Sequence, residues 1–249
     1  MPRAIRVFAA GSLRGPLTQA ARAFEAANPG ACIALTFGAS GLLRERIAAG
    51  EEADVFASAN MAHPQALADG GAWRAAQAFA RNALCALVRP GLNATPDTLI
   101  GAMLDPSVKL GTSTPGADPS GDYAFELFER AERSGAAPAG AARMLAAKAL
   151  QLTGGADSPP PPAGRNVYGM LVASGQADLF LTYCTNAVVA MAEQPALRRV
   201  ELPARINVSA EYGLTVRRGA PLSAQAFADD LLIGAGQRAL REAGFLPPP

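Results

Sequence analysis

The sequence predicts an α/β protein built mainly from parallel sheets. Apolar runs of four to eight residues alternate along the 249-residue chain with longer Ala-rich segments of helical period. Hydrophobic residues make up 50% of the chain and charged residues only 17%, which excludes disorder throughout. Short apolar runs separated by helices of ten or more residues are typical of βαβ units. The length allows one large domain or two smaller ones.

Eight strands are predicted from the short apolar runs. They are Ile5–Ala9, Cys32–Phe37, Asp54–Ser58, Ala83–Val88, Val108–Gly111, Asp178–Tyr183, Arg198–Leu202 and Tyr212–Val216. Ten helices are predicted from apolar positions that recur with a period near 3.6. They are Leu13–Ala27, Gly41–Ala49, Pro64–Asp69, Thr95–Met103, Ser120–Arg133, Ala139–Leu150, Val167–Ala173, Thr185–Ala192, Ser223–Leu232 and Gly236–Glu242. Ligands of such sheets bind beyond the carboxyl ends of the strands.

The segment Thr153–Gly164 interrupts this alternation. Its Gly154-Gly155 pair and its proline run Pro159–Pro162 are incompatible with a helix or a central strand. We expect a surface loop within one lobe. An interdomain linker and a proline-motif ligand are the alternatives.

Two segments of the chain resemble each other. Ile47–Phe56 and Leu171–Phe180 both read as a helix end, a glycine turn, an Ala-Asp pair and an apolar strand. One interpretation is chance similarity between two βα units. The other is a pair of similarly built lobes, which would bind a ligand between them.

Composition excludes several classes of function. A formal net charge of +1 argues against a nucleic-acid partner, which requires a basic face. One histidine, His63, and three cysteines without a CxxC motif are too few soft ligands for a zinc site. We expect Cys32, Cys85 and Cys184 to be small buried side chains. No apolar stretch reaches the length of a membrane span, and the N-terminus does not resemble a secretory signal.

The candidate binding residues lie where predicted helices begin. Ser12 and Ser40 each follow a strand and a few small residues, and Ser120 occupies a variant of the same pattern. Another helix begins near Val167, and Tyr183 ends an apolar strand just before a helix. Helix starts expose unpaired N–H groups and partial positive charge, so several together would bind an oxyanion without Lys or Arg. Each serine alone is better explained as a helix cap, and the set is more informative than its members.

No catalytic residues are predicted. The sequence contains no phosphate-binding GxxxxGK[ST] loop, no GxGxxG dinucleotide motif and no GxSxG nucleophile motif. His63 precedes Pro64 in a predicted surface turn. The spacing of the acidic residues does not pair them, so we interpret them as caps or solvated groups. They are Asp54, Asp118, Asp122 and Asp178.

At these residues the chain resembles the molybdate-binding proteins of ABC importers, a branch of the periplasmic type II solute-binding proteins. The resemblance runs in order from about Ile5 to Phe245. Its blocks are Val7–Leu13, Phe37–Leu43, Gly50–Ala59, Pro119–Ala124, Asn166–Val172 and Leu181–Val188. It implies two lobes, each a mainly parallel sheet flanked by helices. Lobe 1 would comprise residues 1–83 and 206–249 and lobe 2 residues 84–205, with hinges near Arg81–Cys85 and Leu202–Val208.

The resemblance also implies the ligand and its donors. A tetrahedral oxyanion, molybdate or tungstate, would be captured between the lobes by uncharged groups. Ser12 and Ser40 would donate hydroxyls and N–H groups, Ser120 and Val167 N–H groups, and Tyr183 its hydroxyl. Pocket size would select against sulfate. The protein would need no cofactor and no direct metal ligand, would act as a monomer with an importer permease, and would be periplasmic if a signal was removed and cytoplasmic otherwise.

Three features depart from the family pattern. Asn186 stands where an Asp is common, Ser120 stands where Ala is frequent, and the Pro-rich loop before Asn166 is an insertion. Two alternatives to transport remain open at this point. One is a cytoplasmic sensor with the same fold, and the other is a hydrolase or transferase that uses Ser12 or Tyr183.

Overall fold

The computed structural model describes residues 3–159 and 164–248. These residues form two compact units. Unit 1 is Met1–Asn82 together with Ala210–Pro249, and unit 2 is Ala83–Ser209. The chain therefore passes between the units after Asn82 and after Ser209, beside the crossings at 83/84 and 205/206 that the resemblance implies. Both crossings lie within strands.

Unit 1 is a sheet with the strand order β2-β1-β3-β9. Its strands are β1 (Ile5–Ala10), β2 (Ile33–Gly38), β3 (Val55–Ser58) and β9 (Ser209–Val216). The first three are parallel, and β9 is antiparallel to β3. Its helices are α1 (Arg14–Ala27), α2 (Ser40–Ala48), α3 (Ala62–Asp69), α9 (Leu222–Ile233) and α10 (Ala235–Glu242), with a 3-10 turn at Gly11–Leu13.

Unit 2 is a second sheet with the order β6-β5-β7-β4, and β8 pairs with β4 as well. Its strands are β4 (Gln77–Val88, which begins in unit 1), β5 (Leu110–Ser113), β6 (Leu150–Thr153), β7 (Leu179–Tyr183) and β8 (Arg198–Glu201). The strands β6, β5 and β7 are parallel, whereas β4 is antiparallel to β7 and β8. Its helices are α4 (Leu99–Leu104), α5 (Pro119–Arg133), α6 (Ala141–Lys148), α7 (Val167–Ala173) and α8 (Cys184–Glu193).

The predicted α/β class is confirmed, with corrections at two strands. The strand β6 was not predicted, because Leu150 was taken as the end of a helix and Thr153 as the start of the Pro-rich loop, with no element assigned between them. The strand β4 begins at Gln77 rather than Ala83, because Arg81 and Asn82 interrupt its apolar run. Residues 160–163, which include most of the predicted proline run, lie outside the described residues.

Each unit has its own apolar core. In unit 1, Phe8, Leu43, Phe56 and Trp73 pack together from β1, α2, β3 and the loop before β4. In unit 2, a separate cluster joins β4, α7, β7 and α8, with Leu87, Leu171, Val172, Phe180 and Leu197 among its members. Burial of such side chains is worth roughly 1.5–3 kcal/mol each, so the strand ends that carry the candidate site rest on rigid supports.

The cysteine prediction was wrong in part. Cys85 and Cys184 form a disulfide within unit 2, whereas Cys32 is free and exposed. The two bonded cysteines are 99 residues apart, and the sequence alone gives no signal for a pairing at that distance. Among the residues described, every helix is too short or too polar to cross a bilayer.

Candidate functional site

In unit 1, two helix starts lie at one edge of the sheet. The strands β1 and β2 are parallel and in register up to Ala10 and Gly38. Ser12 lies in the 3-10 turn directly after β1, and Ser40 is the first residue of α2, just beyond β2. Because parallel strands end at the same edge, the two serines and the N–H groups around them belong to one half-site.

Both serine hydroxyls of this half-site have a defined hydrogen bond. Ser40 is 1% exposed, and its Oγ accepts the backbone N–H of Ala59 at 3.1 Å. That bond uses an oxygen lone pair, so the Ser40 proton is left for another acceptor. Ser12 Oγ lies 2.9 Å from Tyr212 Oη, and either group can be the donor.

Two residues of the unit 1 half-site were missed by the sequence analysis. Tyr212 on β9 is fully buried and holds the Ser12 hydroxyl. Arg14, the first residue of α1, places its guanidinium 4.6 Å from the ring centre of Phe37 on β2. This cation–π contact holds the guanidinium near the carboxyl end of β2. Only the pairing of β1 with β2 and β3 with β9 reveals either residue.

In unit 2, Ser120 lies in the first turn of the fifteen-residue helix α5. Asp118 caps this helix, and its Oδ1 accepts the Ser120 N–H at 3.0 Å. The sequence assigns that N–H to an oxyanion, but here a carboxylate receives it. Ser120 Oγ is fully buried and has no hydrogen-bond partner. Gly121 is required beside it, because a Cβ there would meet the Ser113 carbonyl oxygen at 2.6 Å.

Val167 is the first residue of α7, as the sequence predicts. Asn166 caps this helix by accepting the Gly169 N–H at 2.9 Å, and its own N–H is held by the Glu193 carboxylate at 2.9 and 3.0 Å. Val167 also lines a cavity of about 660 Å³ in unit 2, together with Thr114 and other residues. Hydrogen bonds therefore hold Asn166 in place at the start of α7, whereas Val167 lines the cavity.

Tyr183 ends β7, and α8 begins at the next residue. Its side chain is 2% exposed, and its ring contacts Tyr123 edge-on with 6.5 Å between the ring centres. Leu84 of β4 pairs with Tyr183 across the sheet, and the disulfide ties Cys184 to the next residue of β4. The tyrosine is thus fixed from both strands. The carboxyl ends of the parallel strands β5, β6 and β7 carry α5, α7 and α8, so Ser120, Val167 and Tyr183 share one edge of unit 2.

The family departure at Asn186 has a structural explanation. This buried side chain donates from Nδ2 to Thr182 Oγ1 at 3.2 Å. Its backbone carbonyl accepts the Asn166 side-chain N–H at 3.2 Å. The side-chain amide can donate a hydrogen bond that an ionised carboxylate cannot, whereas the link from α8 to the cap of α7 runs through the backbone carbonyl.

Burial dominates the electrostatics of the unit 2 half-site. It raises the pKa of the Asp118 carboxyl from 3.8 to about 6, even though the Ser120 N–H opposes the rise. Burial likewise raises the pKa of the Tyr168 hydroxyl on α7, and the nearby charge of Asp118 adds to that rise. Both groups are therefore held toward their neutral forms.

One group of side chains in the described part of the chain has the spacing of metal ligands. Cys85, Cys184 and Glu201 place their ligand atoms within 4.8 Å of one another. Metals bind thiolates, and here both sulfurs are joined in the disulfide. The arrangement as it stands offers a metal only the Glu201 carboxylate.

Residues 5–246 match the family model of the bacterial extracellular solute-binding proteins. An uncharacterized protein of Pasteurella multocida is 36% identical over 247 residues, which covers 98% of each chain. A molybdate-binding protein of Mycobacterium tuberculosis is 28% identical, with 99% of this chain and 85% of that protein covered.

Solved structures show the same fold. The periplasmic molybdate-binding protein of Azotobacter vinelandii is 19% identical with a TM-score of 0.76, over 98% of this chain and all of that one. The sulfate-binding protein SubI of Mycobacterium tuberculosis is 18% identical with a TM-score of 0.80, over 99% of this chain and 87% of that one. This chain, in which the helices of both compact units start at the ends of parallel strands, belongs to the family of bacterial extracellular solute-binding proteins and has their type II periplasmic fold.

Proposed function

We propose that this protein is the binding component of an ABC importer and that it captures a tetrahedral oxyanion, with molybdate and tungstate as the first candidates. The observation that carries the proposal is the set of uncharged donors at the strand ends of each unit. Unit 1 contributes Ser12 and Ser40, and unit 2 contributes Val167, Tyr183 and the start of α5. The similarity to a molybdate-binding relative supports the choice of anion.

The donor set suits a dianion that has lost its water. A hydrogen bond to a charged group is worth about 1.5–3 kcal/mol, and several fixed donors together offset the loss of hydration. Uncharged donors also avoid the desolvation cost of burying additional ions. Molybdate and tungstate have longer metal–oxygen bonds than the sulfur–oxygen bonds of sulfate. A site spaced for the larger anions would leave donors unpaired around sulfate, which is the physical basis for selection.

The same geometry argues against covalent catalysis. A serine nucleophile needs an adjacent base that takes its proton. Ser40 Oγ accepts a backbone N–H, and Ser12 Oγ is hydrogen-bonded to the Tyr212 hydroxyl. Neither partner is a base of the required strength. We therefore propose a non-enzymatic protein that acts as a monomer in the periplasm and delivers its ligand to a permease.

A ligand screen tests this function. The purified and dialysed protein is heated with molybdate, tungstate, sulfate, phosphate or chloride at about pH 5, and its Tm is recorded. A ligand that binds only the native state at about 1,000 times its Kd adds roughly 4 kcal/mol of stability. We expect large Tm shifts with molybdate and tungstate alone.

The other outcomes discriminate between the parts of the proposal. A shift with sulfate or phosphate but not with molybdate would keep the oxyanion function and overturn the choice of anion. No shift with any of them would overturn the function. The Ser40→Ala variant serves as the matched control, because it lacks a donor of the half-site and should show a smaller shift at equal ligand concentration.

A further inference from the structure

A carboxylate occupies the position at the start of α5 where an oxyanion would receive its hydrogen bond. Asp118 Oδ1 accepts the Ser120 N–H at 3.0 Å, and α5 is the longest helix in the described part of the chain. The N-terminus of such a helix favours an anion, and Asp118 supplies one from within the chain. A second anion at this helix start would therefore lie beside the first.

The surroundings of Asp118 do not neutralise its charge. Among the ion pairs of the described residues, none includes Asp118. The titratable groups that act on it are Asp122 of the same helix and Tyr168 of α7, and neither is a cation. From the loop after β6, Gly154 approaches so closely that a Cβ there would lie 2.7 Å from Asp118 Oδ2. The backbone thus packs against the carboxylate without offering a counter-charge.

A second feature of this helix start points to a ligand. Ser120 Oγ is 0% exposed and has no hydrogen-bond partner, which is costly for a buried hydroxyl. An oxyanion beside α5 would accept the Ser120 proton and remove that cost. The same oxyanion would face Asp118, whose carboxylate is two residues away along the chain.

We propose that Asp118 couples oxyanion capture to one proton and so determines which oxyanions are selected. A fully deprotonated dianion such as molybdate binds together with a proton on Asp118, which then donates its O–H to the ligand while its other oxygen keeps the Ser120 N–H. An anion that carries its own proton, such as hydrogen phosphate, donates that proton to the ionised carboxylate instead. This inference rests on the proposed function.

The experiment measures affinity against pH. Molybdate binding to the wild-type protein and to Asp118→Asn is followed by calorimetry from about pH 5 to about pH 8. Because the pKa of Asp118 lies at about 6, the wild-type Kd should rise about tenfold per pH unit above that value, as expected for uptake of one proton. Asparagine is a permanently neutral donor at this position. The variant should therefore bind with a nearly constant Kd and exceed the wild type at pH 8.

Phosphate provides the matched ligand. It carries at least one proton throughout this range, so the wild-type preference for phosphate over molybdate should grow with pH, whereas that of Asp118→Asn should not. The control variant is Asp105→Asn, which alters an exposed turn carboxylate of unit 2 and should keep the wild-type slope. A flat wild-type profile, or an unchanged slope in Asp118→Asn, would overturn the inference. If no oxyanion bound either protein at any pH, the proposed function itself would fail.

Ligand-free stability shows whether the variant is folded. Asparagine caps helices as well as aspartate does, so the cap of α5 is retained. A carboxyl group whose pKa is raised on folding favours the folded state at low pH, and that contribution is lost as the pH rises through about 6. The Tm of Asp118→Asn should therefore match the wild type near pH 4 and exceed it at pH 8. A lower Tm at pH 8 would contradict this account of the Asp118 environment.

Discussion

The two units of this protein contain the same acidic anchor with different surroundings. In unit 1, Asp54 directly precedes β3. Its Oδ2 accepts the Arg6 N–H of β1 at 3.0 Å, and its Oδ1 accepts the Arg217 guanidinium, which follows β9, at 2.9 Å. The backbone of Asp54 bonds to the same two residues, at 2.8 and 2.9 Å.

In unit 2, Asp178 directly precedes β7 and repeats this arrangement. Its Oδ2 accepts the Lys109 N–H before β5 at 2.8 Å, and its Oδ1 accepts the Arg89 guanidinium, which follows β4, at 2.5 Å. The strand orders β2-β1-β3-β9 and β6-β5-β7-β4 correspond as well. The internal similarity of Ile47–Phe56 and Leu171–Phe180 therefore agrees with a pair of similarly built lobes rather than with chance.

The units differ in how strongly the anchor is enclosed and in what lies at the opposite strand ends. Asp54 is fully buried among Arg3, Arg6 and Arg217, whereas Asp178 is 15% exposed and pairs with one arginine. At the ligand ends, unit 1 presents serine hydroxyls, and unit 2 presents a capped helix start and a disulfide. One supporting scaffold thus carries two chemically different half-sites.

The largest expected effect is the loss of stability on reduction of the disulfide in unit 2. Reduction of the Cys85–Cys184 disulfide should destabilise unit 2 by about 4 kcal/mol, because a loop of roughly 100 residues is closed in the oxidised unfolded chain. Urea unfolding followed by circular dichroism, with and without dithiothreitol, measures this change. The double variant Cys85→Ala/Cys184→Ala should lose its response to dithiothreitol, and Cys32→Ala should retain it. An unchanged midpoint on reduction would contradict the prediction.

The next prediction concerns the stability lost when each acidic anchor, Asp54 or Asp178, is replaced. Asp54→Asn leaves a buried cluster of arginines without its carboxylate, and we expect a cost of about 3 kcal/mol, at the low end for a buried pair because the arginines are partly exposed. Asp178→Asn should cost about 1 kcal/mol, as for an ion pair near the surface. Fluorescence of Trp73, the single tryptophan, reports on the unfolding of unit 1.

The stability cost of Asp178→Asn should also depend on pH. Burial opposes ionisation of Asp178, but the Lys109 N–H and the Arg89 guanidinium together lower its pKa. A lowered carboxyl pKa stabilises the folded state above the unfolded pKa, and this contribution is lost as the pH falls through the folded value. The cost of Asp178→Asn should therefore shrink in acid. Equal costs for the two anchors at neutral pH would remove the distinction between the units.

A further set of effects concerns ligand binding by the two half-sites rather than stability. Ser12→Ala and Ser40→Ala each remove a hydroxyl donor to a charged ligand, so each should weaken oxyanion binding by about 1.5–3 kcal/mol, or roughly tenfold to a hundredfold. Ser120→Ala removes the buried hydroxyl that donates to the proposed oxyanion, whereas the Ser120 N–H is already bonded to Asp118, so this variant should weaken binding by a similar amount. Isothermal titration of the three variants tests this expectation. An unchanged affinity in Ser120→Ala would show that the Ser120 hydroxyl is not a donor, and that at most its N–H serves the ligand, as the resemblance implies.

Local patterns account for the parts of the fold that could be predicted. The helix start at Val167 follows from the cap residue Asn166 and the apolar period beyond it. The strand β7 was recognisable because its residues are buried on both faces, which produces a run that is apolar except for Thr182. The strand β6 was not, since its Leu-Gln-Leu-Thr sequence becomes a strand only by pairing with β5.

The candidate site likewise has features that local sequence predicts and features that only tertiary contacts reveal. The sequence by itself determined that helix starts with small residues follow the strands, because caps and glycine turns are encoded by neighbouring residues. Only the tertiary structure decided that Tyr212 holds Ser12, that Asp118 receives the Ser120 N–H in a setting without a cation, and that Cys85 meets Cys184. Those contacts depend on strand pairing and burial, which join residues far apart in the chain and change the charge that a carboxyl group carries.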